Sequence, residues 1–231
     1  ALEIGDFATA QKMAQRCVKY TPEMVEESME MLHLMGIPAF RAKAEGEAQA
    51  AVMAANGQLD IVATQDWDAL LYGAPVLVRN LTSDGSKRMG RIIRAQKIEL
   101  NKLLEQNELT REQLVDLAIM IGTDFHPGIK GIGPKTGLKL IKQFSTIEAI
   151  CEAKDKEMPP RLDEIREIFI NHPVTEVPDS DLQQGEVDVE GLRKFLVEDR
   201  QFSEKRFENA IEQLSSAGLV RTGGQTSLFS F

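Results

Sequence analysis

Five acidic residues in three short motifs are the side chains most suited to chemistry in this 231-residue sequence: Glu45, Glu47, Asp66, Asp68 and Asp124. Carboxylates repel one another, so five of them could meet at one place only with cations between them. Hard divalent ions such as Mg²⁺ take oxygen ligands, and paired Mg²⁺ ions perform phosphodiester hydrolysis. The set therefore predicts a site for two Mg²⁺ ions, with Mn²⁺ as a substitute. The three histidines are scattered and the two cysteines lie far apart, so no zinc-ligand spacing is present.

Each acidic motif also has a purely structural alternative. Glu45 and Glu47 begin a predicted helix, where acidic residues compensate the helix dipole. Asp66 and Asp68 could form a solvated turn that caps the next helix, and Asp124 could cap the segment that follows it. Only convergence of the three motifs would favour the metal site over these alternatives.

The elements around the motifs predict such convergence. The pattern of apolar residues, caps and glycines predicts a helix from Thr21 to Gly36, a strand over 37–41, a helix over 45–56, a strand over 60–64, a helical turn over 68–72, a strand over 76–78, an edge strand over 92–98, and helices over 101–106 and 110–121. Strand, helix and strand at this spacing are typical of parallel crossovers in an α/β sheet. Ligands of such sheets gather at the carboxyl ends of the strands, where Asp66 and Asp68 lie.

A glycine-rich turn follows the third acidic motif. Residues 128–135 read Gly-Ile-Lys-Gly-Ile-Gly-Pro-Lys, and a turn of this kind at a helix start offers backbone N–H groups to phosphate. Lys135, Lys139 and Lys142 recur at helical spacing and predict a basic helix face. The alternative is a solvated basic face behind a glycine loop, and the spacing of a P-loop is absent.

Charge is distributed unevenly along the chain. The net charge of −9 argues against a nucleic-acid binder if it is taken as a whole. Yet residues 128–145 carry lysines and no acid, and residues 79–97 are also mostly basic, whereas residues 152–200 hold a net charge of −7. Charge acts locally, so the two basic stretches still allow contact with nucleic acid. Beyond the glycine-rich turn the sequence predicts helices alone, over 134–143, 146–153, 160–171, 189–198 and 203–217.

In their order along the chain, these motifs resemble those of the flap endonucleases, structure-specific 5′ nucleases of DNA replication and repair. The resemblance covers nearly the whole chain and is greatest to archaeal members. It implies that the five carboxylates are catalytic metal ligands. It also implies that the glycine-rich turn belongs to a helix–two-turn–helix motif that grips duplex DNA, commonly with a bound K⁺. The residues it assigns to DNA binding are Lys130, Gly131, Gly133, Lys135 and Lys139.

The resemblance further implies a fold and a division of the chain. We expect an α/β, PIN-like nuclease core with a mainly parallel central sheet flanked by helices, followed by an all-helical segment that contains the helix–two-turn–helix motif. The expected segments are a remnant of a helical arch over 1–20, the C-terminal half of the nuclease core over 21–127, the helical DNA-binding segment over 128–218, and a flexible tail over 219–231. We expect the family's N-terminal region, with two further metal-binding Asp residues, to be missing and cleavage to be impaired.

The last seven residues resemble the box by which the family binds the sliding clamp, PCNA. The residues of the box are Gln225, Leu228 and Phe231, and the second aromatic residue is absent. Branched DNA with a 5′ flap and the clamp are the implied partners, and a monomer is expected. The absence of a long apolar run argues against a membrane, and we expect an intracellular location: cytoplasm or nucleoid in an archaeon, nucleus in a eukaryote.

Two other functions fit parts of the sequence. The first is a non-catalytic fragment that binds duplex DNA and the clamp. The second is a phosphohydrolase that uses the first Asp of Asp66-Trp67-Asp68 as its nucleophile. Such enzymes usually need a Thr two residues after the second Asp, where this sequence has Leu70.

Overall fold

The structure, a computed structural model, describes residues 20–88 and 90–218. The chain divides into two compact units. One, here the central unit, comprises residues 41–176, and the other, here the terminal unit, combines the chain up to residue 40 with the chain from residue 177. Residues 1–19 of the expected arch remnant and the tail residues Gln225, Leu228 and Phe231 lie outside the described residues. The predicted segment boundaries remain a prediction.

The central unit contains a three-stranded sheet, a small hairpin and seven helices among its described residues. In chain order these are α2 (Gly46–Ala55), β1 (Val62–Ala63), α3 (Asp68–Leu71), β2 (Val76–Arg79), β3 (Lys87–Arg88), β4 (Arg91–Ile92), β5 (Gln96–Glu99), α4 (Leu100–Asn107), α5 (Arg111–Ile121), α6 (Pro134–Phe144), α7 (Ile147–Lys154) and α8 (Leu162–Ile170). The predicted helices from 101 to 171 agree with these bounds within about two residues at each end.

The sheet has the order β1-β2-β5 and mixes two pairings. β1 pairs with β2 in parallel, with Ala63 opposite Val78, as strand–helix–strand spacing predicts. β5 pairs with β2 antiparallel, with Gln96 opposite Arg79. Because β1 and β2 run in the same direction, their carboxyl ends lie at one edge of the sheet, where the Asp66–Asp68 motif follows β1.

The edge strand predicted over 92–98 is confirmed in its second half, as β5, and is wrong in its first half. Its first residue belongs to the hairpin β3–β4, and pairing with β2 begins only at Gln96. Between them the backbone N–H of Ala95 donates to the Asp84 carboxylate at 2.7 Å, and the N–H of Ile93 donates to the Ser86 carbonyl at 2.8 Å. These bonds to the hairpin take the backbone groups that a continuous strand would have offered to β2.

The hydrophobic core of the central unit is aliphatic. Small residues such as Ala48 and Ala51 on α2 are fully buried, which lets this helix approach the sheet closely. Ile119 of α5, Ile141 of α6 and Phe169 of α8 join the same cluster. The core therefore holds together the elements that precede each predicted functional motif.

Helix caps explain where several helices begin. Thr21 accepts a hydrogen bond from the Met24 N–H at the start of α1 (Pro22–Leu34), the first helix among the described residues of the terminal unit. Thr110 and Gln113 form a reciprocal capping box at the start of α5. Such caps are local and depend on a few adjacent residues, which is why these helix starts are predictable from sequence.

The terminal unit holds α1 and the helices that follow residue 177. After a 3₁₀ turn over Asp179–Leu182, α9 (Val189–Arg193) continues into a π-helical turn (Lys194–Glu198), and α10 spans Glu204–Ser216. The single helix predicted over 189–198 is thus a helix with a widened second half. No helix among the described residues is long and apolar enough to cross a membrane.

The strand predicted over 37–41 is wrong. Pro38 has no N–H to give to a ladder, so the segment is irregular. The backbone beside it is bonded instead to the later part of the terminal unit: Gly185 N–H donates to the Gly36 carbonyl, and Asp188 N–H to the Leu34 carbonyl, both at 2.8 Å.

Candidate metal centre and nucleic-acid interface

The five predicted carboxylates lie at the ends of three elements of the central unit. Glu45 precedes α2 in an extended conformation, and Glu47 lies in the first turn of this helix. Asp66 and Asp68 follow β1, and Asp124 follows α5. Burial raises the pKa of Asp68, and so do the negative charges of the other four carboxylates. The three motifs therefore come within electrostatic reach of one another around Asp68.

A chain of hydrogen bonds connects two of the motifs. The Asp68 N–H donates to the Asp66 carboxylate at 2.9 Å, and the Asp66 N–H donates to the Thr64 hydroxyl at 3.1 Å. The Thr64 hydroxyl in turn donates to the Glu47 carboxylate at 3.2 Å. Asp66 thus forms the turn that was predicted as the structural alternative to a metal site. Through Thr64, the same turn is bonded to Glu47 at the start of α2.

Tyr72 is a neighbour of the acidic group that the sequence analysis missed. Its side chain is buried, and its pKa is raised by that burial and then by the nearby carboxylates. The ring contacts Phe169 and His172, each with a centroid separation of 5.2 Å. Its position four residues after Asp68 on a helical turn was the signal available in the sequence.

The carboxylates suit hard cations in their chemistry. Within the two described stretches, no three His, Cys, Asp or Glu side chains meet closely enough to ligate one ion directly. Mg²⁺ does not require this, because it keeps several waters and takes one or two carboxylates together with substrate phosphates. The charges of four other carboxylates raise the pKa of Asp68, and divalent cations neutralise such a concentration of negative charge. The residues therefore fit Mg²⁺ or Mn²⁺ bound in part through water.

The glycine-rich turn is fixed to the end of α5. Gly128 has φ +88°, and a Cβ there would lie 2.4 Å from the Ile121 carbonyl oxygen, so only glycine fits without displacement. The Ile129 N–H donates to the Met120 carbonyl at 2.8 Å, and the Ile129 and Ile132 side chains are buried. The turn is therefore held by its isoleucines and by Gly128, while Gly131, Gly133 and the lysines face solvent.

The start of α6 has the features of a phosphate site. Gly133 is the N-cap and offers no side-chain hydrogen bond, and Pro134 takes the first helical turn. The first N–H groups of any helix lack intrahelical partners. Since no side chain caps them here, they are available to an anion, and no heavy atom lies within 4 Å of where a Cβ on Gly133 would be.

The predicted lysines differ in their surroundings. Lys130, Lys135 and Lys139 are exposed around the turn and along α6. Lys142 instead forms an ion pair with Glu108 at 2.9 Å, which lowers the pKa of Glu108. The basic face predicted from three lysines at helical spacing therefore has its positive charge concentrated at the start of α6.

Two further cations lie near the predicted residues, and sequence spacing did not reveal them. The Lys156 ammonium donates to the Lys130 carbonyl at 3.3 Å. The Arg79 guanidinium, at the end of β2, lies 4.2 Å from the centre of the exposed Trp67 ring. Both come from segments distant in sequence, so only the fold brings them to these positions.

Position 70 bears on the phosphohydrolase alternative. Leu70 occupies the place where such an enzyme needs a threonine hydroxyl, and its side chain is buried in the hydrophobic core. A buried leucine supplies no hydrogen bond to a phosphate, so the acidic motif lacks the partner that this chemistry needs.

Comparison with known proteins gives a consistent result. Residues 36–124 match the family model of the XPG I-region, and residues 128–167 match that of the SAM-like helix-hairpin-helix tandem. The flap endonuclease 1 of Staphylothermus marinus is 43% identical over 94% of this chain and 63% of its own length. That of Pyrococcus abyssi is 41% identical over 100% of this chain and 67% of its own length.

Solved structures resemble the fold as well. Flap endonuclease-1 from Methanococcus jannaschii is similar with a TM-score of 0.72 and 39% identity, covering 94% of this chain and 64% of that one. The catalytic core of Rad2 in complex with DNA substrate has a TM-score of 0.73 at 20% identity, covering 89% of this chain and 73% of that one, which is a likeness of fold. The chain spans about two thirds of the length of the flap endonuclease relatives it matches.

Proposed function

This chain belongs to the flap endonuclease 1 family, and from that membership we propose that it acts as a structure-specific 5′ flap endonuclease and 5′–3′ exonuclease in DNA replication and repair. The observation that carries the proposal is that three acidic motifs lie within electrostatic reach of one another around Asp68, whose pKa is raised by the charges of the other four carboxylates. Its substrate is branched DNA with a 5′ flap. Because that substrate is DNA, we infer an intracellular location.

The proposed metal ligands are the carboxylates of the three acidic motifs: Glu45, Glu47, Asp66, Asp68 and Asp124. Two Mg²⁺ ions, or Mn²⁺ in their place, would supply activation of water and stabilisation of the leaving oxygen in phosphodiester hydrolysis. Thr64 orients Glu47 by its 3.2 Å hydrogen bond, and the Asp66 turn orients Asp68. The buried Tyr72 lies next to the acidic group, and its ring is held in place by its contact with Phe169.

The glycine-rich turn and the start of α6 are the proposed grip on duplex DNA. The exposed Lys130, Lys135 and Lys139 neutralise backbone phosphates, and the uncapped helix start receives a phosphate oxygen. Gly131 and Gly133 allow the DNA backbone to approach the protein backbone. A K⁺ ion at this turn is part of the proposal.

Cleavage of a flap substrate tests the catalytic part. We expect release of a labelled 5′ flap in Mg²⁺ or Mn²⁺, more slowly than by a full-length relative, and none in EDTA. Asp66→Asn and Asp68→Asn should lose cleavage at unchanged affinity for DNA. Asp60→Asn is the matched control, because Asp60 is an exposed acid that precedes β1, whereas Asp66 and Asp68 follow it. The assay is run in parallel on this chain and on a full-length relative, since the chain spans about two thirds of the length of its relatives. Cleavage that persists in both Asp variants would show that these acids are not the metal ligands.

Salt dependence of duplex binding tests the grip. Each neutralised phosphate contributes about −0.9 to the log–log slope of affinity against salt. Lys135→Ala with Lys139→Ala should flatten that slope by about one to two units, equally for unrelated DNA sequences. The control pair is Lys102→Ala with Lys154→Ala, since Lys102 pairs with Glu99 and Lys154 lies over Phe144 at the far end of α6. An unchanged slope would show that Lys135 and Lys139 do not contact phosphates and belong to a solvated helix face.

We also propose that the tail binds the sliding clamp, PCNA. Gln225, Leu228 and Phe231 have the residue types of a clamp-binding box, in which a polar residue precedes an apolar pair that fills a groove. Leu228→Ala with Phe231→Ala should abolish binding to the clamp of the same source and leave the melting temperature unchanged. A lower melting temperature with clamp binding retained would show that the tail packs on its own chain.

A further inference from the structure

The only tryptophan in the sequence lies between two of the proposed metal ligands. Trp67 separates Asp66 from Asp68, and 48% of its surface is exposed. Its backbone carbonyl accepts from the Leu70 N–H at 3.0 Å, so the residue opens the helical turn α3 and its backbone is fixed. An aromatic ring of this size is thus presented to solvent beside a concentrated acidic group.

Arg79 holds one side of this ring. Its guanidinium carbon lies 4.2 Å from the Trp67 ring centre, the geometry of a cation–π pair. Its Nε–H donates to the Gln65 carbonyl at 3.1 Å, which anchors the side chain to the loop that carries the ring. Because β2 runs parallel to β1, the strand direction brings Arg79 to the same edge of the sheet as the acidic motif.

Trp67 and Arg79 lie where a DNA strand that approaches the acidic group would need attractive contacts. A phosphodiester that approaches five carboxylates is repelled by them, and bound cations offset only part of that repulsion. A guanidinium at the rim attracts phosphate, and a half-exposed indole offers a surface on which any nucleobase can stack. Both groups are already oriented by contacts within the protein, so little conformational freedom is lost on binding.

We propose that Trp67 and Arg79 are positioning residues that hold an unpaired nucleobase and its phosphate beside the acidic group. The inference rests on the proposed function and deepens it, since it assigns a contact for the single strand next to the bond that is cleaved. The indole stacks on the base, and the guanidinium contacts the phosphate. The pairing with Arg79 serves to keep the ring from collapsing onto the loop.

Tryptophan fluorescence reports directly on this contact because the chain has one tryptophan. In EDTA, where DNA is not cleaved, the protein is titrated with a 5′-flap DNA, with oligothymidylate and with a blunt duplex of equal length. DNA binding is followed separately by the anisotropy of a label on the DNA. We expect saturable quenching by the flap DNA and by oligothymidylate, at the same concentrations as the anisotropy change, and little quenching by the blunt duplex.

Substitutions separate stacking from charge. Trp67→Ala should weaken binding of oligothymidylate by roughly fivefold or more, and Trp67→Phe should restore most of the affinity, because a smaller ring still stacks. Arg79→Ala should reduce the salt slope by about one unit, whereas Arg79→Lys should retain it. Arg161→Ala is the matched control. Arg161 is an exposed arginine at the N-terminal end of α8, and it forms an ion pair with Glu164.

Three outcomes would overturn the inference, and they differ in what they say of the proposed function. If flap DNA binds by anisotropy while Trp67 fluorescence and the affinity of Trp67→Ala are unchanged, the contact is wrong and the proposed function stands. If Trp67→Ala lowers the melting temperature at unchanged affinity, the pair is a structural clamp for its loop. If no DNA binds at all, the proposed function fails together with the inference.

Discussion

Asp68 shows at the scale of one residue how a site that suits cations stores unfavourable charge. Burial and the four other carboxylates raise its pKa, so the folded protein binds a proton there more tightly than the unfolded chain does. Between the ordinary carboxyl pKa and the raised one, the free energy of unfolding therefore falls as the pH rises. Above that range the folded state carries the full repulsion unless a cation neutralises it.

Substitution of Asp68 should therefore stabilise the protein when no metal is bound. In EDTA at neutral pH, Asp68→Asn should melt at a higher temperature than the unsubstituted protein and should lose part of the decline in stability above the ordinary carboxyl pKa. Added Mg²⁺ should stabilise the unsubstituted protein by about 2.7 kcal/mol at a hundredfold excess over Kd, and the variant by less. Asp60→Asn is the control and should respond to Mg²⁺ as the unsubstituted protein does. A melting temperature that does not change with divalent ions would show that the acids hold no metal.

A second acidic residue, Asp116, is buried against a cationic partner. It is 5% exposed, and both its oxygens accept from the Arg166 guanidinium at 2.7 Å. Arg166 also pairs with Glu148, and this lowers the pKa of Glu148 to about 2. Arg166 thus links α5, α7 and α8.

Removal of Asp116 should cost far more than removal of an exposed partner of the same arginine. Asp116→Ala leaves a partly buried guanidinium without its buried carboxylate partner and should lower the free energy of unfolding by about 3 kcal/mol. Asp163 pairs with Arg166 at 3.4 Å, but its side chain is 95% exposed, so Asp163→Ala should cost about 0.5 kcal/mol or less. Urea unfolding of the two variants measures the difference, and equal costs would contradict the role given to burial.

At the scale of elements, two glycines of the glycine-rich turn have different roles: one is required by the fold and the other leaves space at the start of a helix. Gly128 is needed for the backbone, since its φ of +88° and the Ile121 carbonyl exclude a side chain. Gly133 has φ −102° and open space around it, so the fold tolerates a side chain there. At Gly133 a side chain would instead stand at the uncapped start of α6, where we place a phosphate.

The two glycines should therefore respond differently to alanine. Gly128→Ala should destabilise the protein by about 2 kcal/mol, because it combines a strained backbone with a collision. Gly133→Ala should leave the melting temperature nearly unchanged and weaken duplex binding. Thermal melts and anisotropy on both variants test this pair, and full duplex affinity in Gly133→Ala would remove the helix start from the proposed interface.

Elements also show how far sequence predicts this fold. Helices with local caps, such as α1 with Thr21 and α5 with Thr110, could be located within a residue or two. Strands depend on partners distant in sequence, which is why the segment containing Pro38 was wrongly predicted to pair and the segment after Ile92 was wrongly predicted to be continuous. The acidic motifs were recognisable by type and spacing, whereas Arg79 reaches Trp67 only through the pairing of β1 with β2.

At the scale of the whole molecule, the described candidate site residues all lie in the central unit. This unit is a single continuous segment, and the main hydrophobic cluster runs from Ala48 to Phe169 within it. Its last residues are tied to its first helix: the buried Gln49 side chain donates to the Thr175 carbonyl at 2.9 Å and accepts from the Thr175 N–H at 2.7 Å. The unit thus has a core of its own and a closed C-terminal end.

Residues 41–176 should therefore fold without the rest of the chain. We expect this segment to melt cooperatively and to show the same stabilisation by Mg²⁺ as the full chain. A segment ending at residue 173 keeps the whole hydrophobic cluster but leaves the buried Gln49 amide without its backbone partner, so its free energy of unfolding should be lower by about 1–3 kcal/mol. Gln49→Leu, which removes the unpaired amide at similar size, should recover part of that loss in the shorter segment. Circular dichroism melts of the three proteins test the argument, and a 41–176 segment that unfolds without a cooperative transition would show that its core is insufficient alone.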